Sequence, residues 1–290
     1  MSRLFRTGPF QRILKRTLRD RILIALAPDS LSLVRLQGMF RPQVSEKRTL
    51  ACDPASGPEP WKGAVAALLR LAEELRGVNA EVTVVLSNHF ARYTLVPWSE
   101  GLSNAGEETA FARYCFAKVH GERSKDWDLR LSRAPNGAAR MASAVDSALV
   151  QAIRASFPAG AKARLASVQP YLMSAFNRWR QLIKGARAWF LLVEPKRACL
   201  AHLENGRWTS VRNSRGSFED PAQWAELLDR ERHLVGGSGT PDSVYVHATR
   251  GWEAPSAEYQ GWTFKSLTLA PLEGLTAAEA RPFAMALCAR

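Results

Sequence analysis

Arg21-Ile-Leu-Ile-Ala-Leu-Ala-Pro-Asp-Ser-Leu-Ser-Leu-Val-Arg-Leu36 reads as a strand, a turn and a second strand. Residues 21–27 are apolar and β-branched enough for a buried strand, Pro28-Asp29-Ser30 reverses the chain, and residues 31–36 alternate in polarity. The same move recurs at Ala188-Trp-Phe-Leu-Leu-Val193, where the turn Glu194-Pro195-Lys196 leads into Ala198-Cys-Leu-Ala-His-Leu203. There the turn Asn205-Gly206, a strong hairpin signal, adds a strand over 207–211. A third strand over 48–52 matches it after the first hairpin. Each hairpin then leads into a helical period and one further strand. After the first, Val65, Leu68, Leu69, Ala72 and Leu75 line one face of a helix over 61–76 that Gly77 stops, and Glu81-Val-Thr-Val-Val-Leu86 is continuously apolar, as a strand covered on both faces is. After the second, Asp220 is positioned to cap a helix over 221–234 with Trp224, Leu227 and Leu228 inward, followed by Val244-Tyr-Val-His-Ala248. Two lobes with one opening plan make this an α/β protein.

The intervening chain predicts an extended segment over 88–97, a helix over 107–119, strands over 127–132 and 138–144, and a helix over 147–156. A short strand over 165–168 runs into a helix over 171–183, and the chain closes with a strand over 262–269 and a helix over 277–287. The organisation expected is a leader over 1–20, a first lobe over 21–87 and 145–183, an inserted subdomain over 88–144 and a second lobe over 184–290.

At 290 residues and 46% hydrophobic content the chain can bury a large core. Cys52, Cys115, Cys199 and Cys288 are scattered, with no C-x-x-C pair, which fits reduced thiols in a cytosolic protein and no metal site. No stretch approaches the roughly 18 to 20 apolar residues of a membrane span, and no signal-peptide core follows the basic N-terminus, so a cytoplasmic location is expected. The formal charge is +13, and nearly half of the excess lies in the first 21 residues, where Arg3, Arg6, Arg12, Lys15, Arg16, Arg19 and Arg21 face Asp20 alone. Phe10, Ile13, Leu14 and Leu18 recur there at helical spacing. Three readings of this leader stay open: a solvated arm, a helix whose Arg12, Lys15, Arg16 and Arg19 meet anionic lipid or a partner, and a nucleic-acid contact.

The duplicated plan resembles the actin-like ATPase (ribonuclease H-like) fold, and within it the PilM family of pilus assembly proteins and the cytoplasmic domain of the GspL family of type II secretion proteins. The basic leader entering Ile22 to Leu36 is similar to the PilM opening. Val82-Thr-Val-Val-Leu-Ser-Asn-His-Phe-Ala-Arg-Tyr-Thr-Leu-Val-Pro-Trp98 resembles the passage into the inserted subdomain in both families. Leu165-Ala-Ser-Val-Gln-Pro-Tyr-Leu172 looks like the crossover between lobes. The second lobe is reduced, too short for the subdomain that covers nucleotide in full-sized members.

ATP-binding members present an Asp and a Gly-rich turn in each hairpin, because Mg²⁺ takes a carboxylate and phosphates take backbone N–H donors. By the resemblance, the first Asp falls at Ala25 and the following Gly at Ala27, ahead of Pro28, which has no N–H. The second falls at Leu192, with Glu194 and Pro195 in the turn, and Ala248-Thr249-Arg250-Gly251 offers a single glycine near the adenosine position. The resemblance therefore implies a pseudo-ATPase, with no catalytic, cofactor-binding or metal residue and no cofactor.

Other constellations point to no chemistry. Gly236-Gly-Ser-Gly-Thr240 lacks the Lys-Ser/Thr of a P-loop and precedes a strand. His89, His120, His202, His233 and His247 share no ligand spacing. Asp126 and Asp128, Glu73-Glu74 and Glu107-Glu108 read as solvated faces. Trp179 with Arg178, Arg180 and Lys184 reads either as a base-stacking platform or as a helix end whose cations complement the dipole.

The expectation is a non-catalytic scaffold of a type IV pilus or type II secretion assembly. By the resemblance it docks the cytoplasmic tail of a PilN-like inner-membrane protein, with a pilus or secretion ATPase further out, at the inner membrane face. The candidate wall for that tail is Phe90, Arg92, Tyr93 and Trp98 with Phe111, Tyr114 and Phe116. The alternatives are an active actin-like ATPase and a basic nucleic-acid-binding protein; no nucleic acid is expected.

Overall fold

A computed structural model describes residues 19–38, 40–53, 57, 59–102, 104–236, 243–249 and 258–290. The first lobe opens with β1 (Asp20–Leu26), β2 (Ser30–Gln37) and β3 (Gln43–Ala51), then α1 (Lys62–Glu74) and β4 (Ala80–Leu86). An insert follows: β5 (Ala91–Val96), α2 (Ala105–His120), β6 (Trp127–Leu131) and β7 (Arg140–Asp146). The first lobe resumes with α3 (Ser147–Ser156) and β8 (Ala163–Pro170), and α4 (Tyr171–Trp179) leads out of it. The second lobe has β9 (Arg187–Glu194), β10 (Arg197–Glu204), β11 (Arg207–Arg215), α5 (Pro221–Leu234), β12 (Ser243–Ala248), β13 (Glu258–Tyr259) and β14 (Trp262–Ser266). The chain ends in α6 (Ala277–Ala280), a 3-10 turn at Arg281–Phe283 and α7 (Ala284–Leu287).

The first sheet has the order β3-β2-β1-β4-β8 and the second β11-β10-β9-β12-β14-β13, so the repeated opening is one topology used twice. In each, the first three strands pair antiparallel and the next two join parallel. The insert forms its own sheet, β5-β7-β6.

Alternation along β1 explains why both faces of the first sheet are covered. Ile22, Ile24 and Leu26 point into a core with α1 and α3, while Leu23 and Ala25 point into a second core. β9 divides the same way: Trp189, Leu191 and Val193 pack with Trp224 and Leu228 of α5, and Ala188, Phe190 and Leu192 join the core that Leu23 and Ala25 enter. That shared core also takes Tyr171, Leu172, Ala175 and Trp179 of α4 and Ala286 and Leu287 of α7, so the inward faces of both sheets close on one crossover helix and the C-terminal segment.

Several boundaries differ from the sequence reading. The third strand of the first hairpin starts earlier, at Gln43, because it pairs with the whole length of β2. The helix expected to 183 ends at Trp179, where the N–H groups of Leu182 and Ile183 both turn back to the Trp179 carbonyl. The helix expected over 277–287 is broken at Arg281–Phe283, since Pro282 supplies no N–H.

Candidate functional site

The ends of β1 and β9 and their hairpin turns open on a cavity of about 870 Å³ between the lobes. Ala25, Ala27, Pro28 and Asp29 line it from the first hairpin and Glu194, Pro195 and Lys196 from the second, with His89, Thr249 and, from the C-terminal segment, Arg281 and Met285. Its volume suits a small molecule, and it lies where the two hairpins of an actin-like fold meet. Whether it suits Mg-ATP depends on its donors. Ala25 contributes a methyl group, and Leu192 is fully buried in the shared core. The Ala27 N–H is already bonded to the Ser30 carbonyl (2.9 Å), Pro28 has none, and the second turn presents Glu194. These hairpin positions do not fit the Asp-and-N–H cradle for a phosphate chain with its metal, although Lys196 and Arg281 also line the cavity.

Glu194 is buried, and what holds it comes from far along the chain. The Ser87 hydroxyl donates to Oε2, and the Asn88 N–H donates to Oε1 at 3.0 Å. Burial nevertheless dominates, raising the Glu194 carboxyl to about 7 against those two donors. Beside it, the His89 Nε2–H donates to the Pro195 carbonyl at 2.9 Å, and burial lowers that imidazole to about 4. The carboxylate that the sequence places facing phosphate is thus a clasp between the start of the insert and the second lobe.

A second concavity, of about 540 Å³, lies between the first lobe and the insert. Among the described residues β8 pairs on one side only, with β4, and Leu165, Ala166, Ser167 and Val168 of this edge strand form one wall. A register shift at Val82/Thr83 accommodates the extra residue of β8 beside them. Asp128 and Arg130 of β6, Ser143 and Val145 of β7, and Val150 and Arg154 of α3 form the other wall. Asp128 stands 3.7 Å from both Arg130 and Arg154, so two guanidiniums share one carboxylate.

The aromatic wall expected beside the insert is split by the structure. Phe90 is 6% exposed in the first-lobe core, and Phe116 is fully buried beneath the insert sheet, so neither can meet a partner. The cause is β-strand and helix phase: both point toward the sheets that cover them. Tyr93 is half-buried, its hydroxyl donating to Asn88 Oδ1 at 2.7 Å, and burial raises it well above the usual phenol range. Arg92 is half-buried and donates to the His89 and Ala91 carbonyls. Trp98 and Tyr114 are 43% and 58% exposed, and Phe111 is half-buried against the α2 side of the insert.

Arg12, Lys15 and Arg16 lie outside the described residues, as do residues 237–242 and the Arg250-Gly251 pair; Arg19, just before β1, is half-buried. The stacking platform weighed at Trp179 is excluded, because that indole is 3% exposed and packs on His247 at 4.4 Å between ring centroids. His247 is itself enclosed, hydrogen-bonded through Nδ1 to the Tyr171 hydroxyl (2.5 Å), and burial lowers it to about 3. Glu73 and Glu108 pair with Arg76 and Arg140. Among the described residues no group of His, Cys, Asp and Glu could hold a metal ion, and no helix is long and apolar enough to cross a membrane.

No protein-family model matches the chain. No curated protein matches it in sequence. Solved structures do match. The PilM–PilN type IV pilus biogenesis complex aligns over 94% of this chain and 97% of that one, with 14% identity and a TM-score of 0.67. A Bacteroides thetaiotaomicron protein of actin-like ATPase fold and unknown function aligns over 84% and 86%, at 11% identity and 0.56. The cytoplasmic domain of EpsL, an inner-membrane component of the Vibrio cholerae type II secretion system, aligns over 93% and 92%, at 14% identity and 0.55. With one sheet topology used twice around a shared core, these likenesses establish that the chain has the actin-like ATPase fold, built on the plan shared by PilM and the EpsL cytoplasmic domain.

Proposed function

We propose that this protein is a non-catalytic cytoplasmic scaffold of a pilus or secretion assembly, and that the concavity between β8 and the insert receives the cytoplasmic tail of a PilN-like inner-membrane protein. The observation that carries the reading is the pairing of an open strand edge with a facing wall. An edge strand offers unpaired backbone groups to an extended segment, and side chains opposite select it. Arg130 and Arg154 exceed Asp128 in charge, which favours a tail with an acidic residue at that point. The poor fit of the interlobe cavity to Mg-ATP supports docking without turnover, and the basic leader would hold the scaffold near anionic lipid. Exposed Trp98, and exposed Tyr114 with Phe111 stacked on it, are the second candidate contact on the insert.

The test is fluorescence anisotropy with a synthetic peptide spanning the cytoplasmic tail of a PilN-like protein from the same genome. Arg154→Glu and Arg130→Glu together are expected to weaken binding by at least about tenfold at low ionic strength, since two reversals replace attraction with repulsion along the groove. Trp98→Ala is expected to weaken it less. Equal binding by the double variant would move the docking site to the Trp98 side, and absence of binding by the wild type would sink the reading. Calorimetry with Mg-ATP is expected to show no saturable heat; micromolar binding would restore the active-ATPase alternative.

A further inference from the structure

Three guanidiniums converge where the insert meets the second lobe, away from the concavity assigned above to a tail. Arg197 and Arg215 are direct cross-strand partners on β10 and β11, which places their Cβ atoms about 5 Å apart on one face. Arg197 Nη1 donates to Asn213 Oδ1 at 3.1 Å, and Asn213 Nδ2 donates to the Ala91 carbonyl at 3.0 Å. Arg92 Nη1 donates to that same carbonyl at 2.9 Å, so Asn213 sits between the Arg197 and Arg92 guanidiniums. Arg197 is 4% exposed and its Nε has no hydrogen-bond partner. Among the described residues none of the three forms an ion pair with a carboxylate within 4.0 Å.

Clustering unpaired cations, one of them enclosed, is unfavourable unless something neutralises them. Glu194, the direct cross-strand partner of Arg197 on β9, accepts from Ser87 and Asn88 and makes no ion pair with Arg197 within 4.0 Å, and burial raises it to about 7, so at pH 7 it balances the cluster only in part. Burial, then Arg92 and Arg215, lower Arg197 to about 10 against the opposing pull of Glu194, and burial with Arg215 lowers Arg92. Exposed Arg215 leaves the cluster open on one side, and none of the three lines the interlobe cavity.

We infer that Arg92, Arg197 and Arg215 form a binding site for an oxyanion of the phosphate class, with Arg215 at its mouth and the enclosed Arg197 at its base. A phosphate group has enough oxygens to accept from several guanidinium forks at once, which a single carboxylate does not. Such an ion would bridge β5 of the insert and β10 and β11 of the second lobe, adding to the Asn213 contacts that already join them.

Calorimetric titration of the full chain with inorganic phosphate at fixed pH and ionic strength tests this. Binding with a Kd at or below about 1 mM is expected, with acetate at least about tenfold weaker. Arg215→Gln and Arg92→Gln, which leave the enclosed Arg197 in place, are each expected to lower phosphate affinity about tenfold, while Arg207→Gln on the same strand does not. Glycerol 3-phosphate distinguishes the sources: binding equal to phosphate assigns the site to an esterified group, and loss assigns it to the free ion. Absence of phosphate binding up to about 10 mM, equal binding of acetate, or unchanged affinity in Arg215→Gln and Arg92→Gln would overturn the assignment.

Discussion

Unfolding the wild-type chain in urea between pH 4.5 and 6.5 is expected to take up one net proton from three buried groups, so that stability rises with pH by about 1.4 kcal/mol per unit from these groups. His247 and His89 are lowered by burial from 6.5 to about 3 and about 4, so in this window the unfolded chain binds two protons that the folded chain does not. Glu194 is raised from 4.5 to about 7, so here the folded chain binds one proton that the unfolded chain releases. The histidines therefore contribute stability that is lost as pH falls through the window. Glu194 contributes stability that is present at low pH and lost as pH rises toward 7. The difference is two minus one. His247→Gln is expected to flatten the slope, and Glu194→Gln to double it to about 2.7 kcal/mol per unit. Urea midpoints across a pH series measure all three proteins, with other titrating carboxylates cancelling in the comparison. A Glu194→Gln slope no steeper than wild type would mean that this carboxyl is ionised in the folded chain. The clasp to Ser87 and Asn88 would then be a charged one.

Trp224→Ala is expected to cost about 4 kcal/mol, within the range for deleting a buried aromatic side chain. The indole is fully buried between α5 and the outer face of the second sheet, packed with Trp189, Leu191 and Phe264. Its Nε1–H also donates to the Phe218 carbonyl at 2.8 Å, and truncation leaves that acceptor without its partner. Trp224→Phe should recover most of the packing and none of the hydrogen bond. Trp98→Ala, at an exposed indole, should change stability by no more than about 0.5 kcal/mol, so the pair separates a packing role from a surface one. Equilibrium urea unfolding gives the values. A cost below about 1 kcal/mol at Trp224 would show that α5 is not seated on β9 and β10 as described.

Much of the architecture was legible because local period and turn chemistry carry it. Alternation in β1 and β9, the Asn205-Gly206 turn and the Asp220 cap each report on residues a few positions away. The helix over 221–234 is bounded as read, since Asp220 and Gln223 form a capping box and Pro221 takes the first turn. Ends that depend on tertiary contact were not legible. The helix after Tyr171 stops at Trp179 because the chain must turn into the second lobe, and Gln43 joins β3 because β2 lies beside it.

The candidate sites divide the same way. Periodicity marked Phe90, Tyr93, Trp98, Phe111 and Tyr114 as aromatics near the insert, yet which face water depends on the sheet that covers each one. Glu194 reads as a turn carboxylate until Ser87 and Asn88, more than a hundred positions earlier, close on it. The groove beside β8 has no signature, because an open edge is a property of sheet order. The arginine cluster joins Arg92 to Arg197 and Arg215 only through the docking of β5 on β11. By itself the sequence determined the repeated hairpin plan, the α/β class and the residues at the hairpin turns, all set by short-range periodicity and backbone chemistry. Tertiary structure alone decided which polar groups are desolvated, which strand edge stays open and which cations meet, because burial and charge proximity are sums over residues distant in the chain.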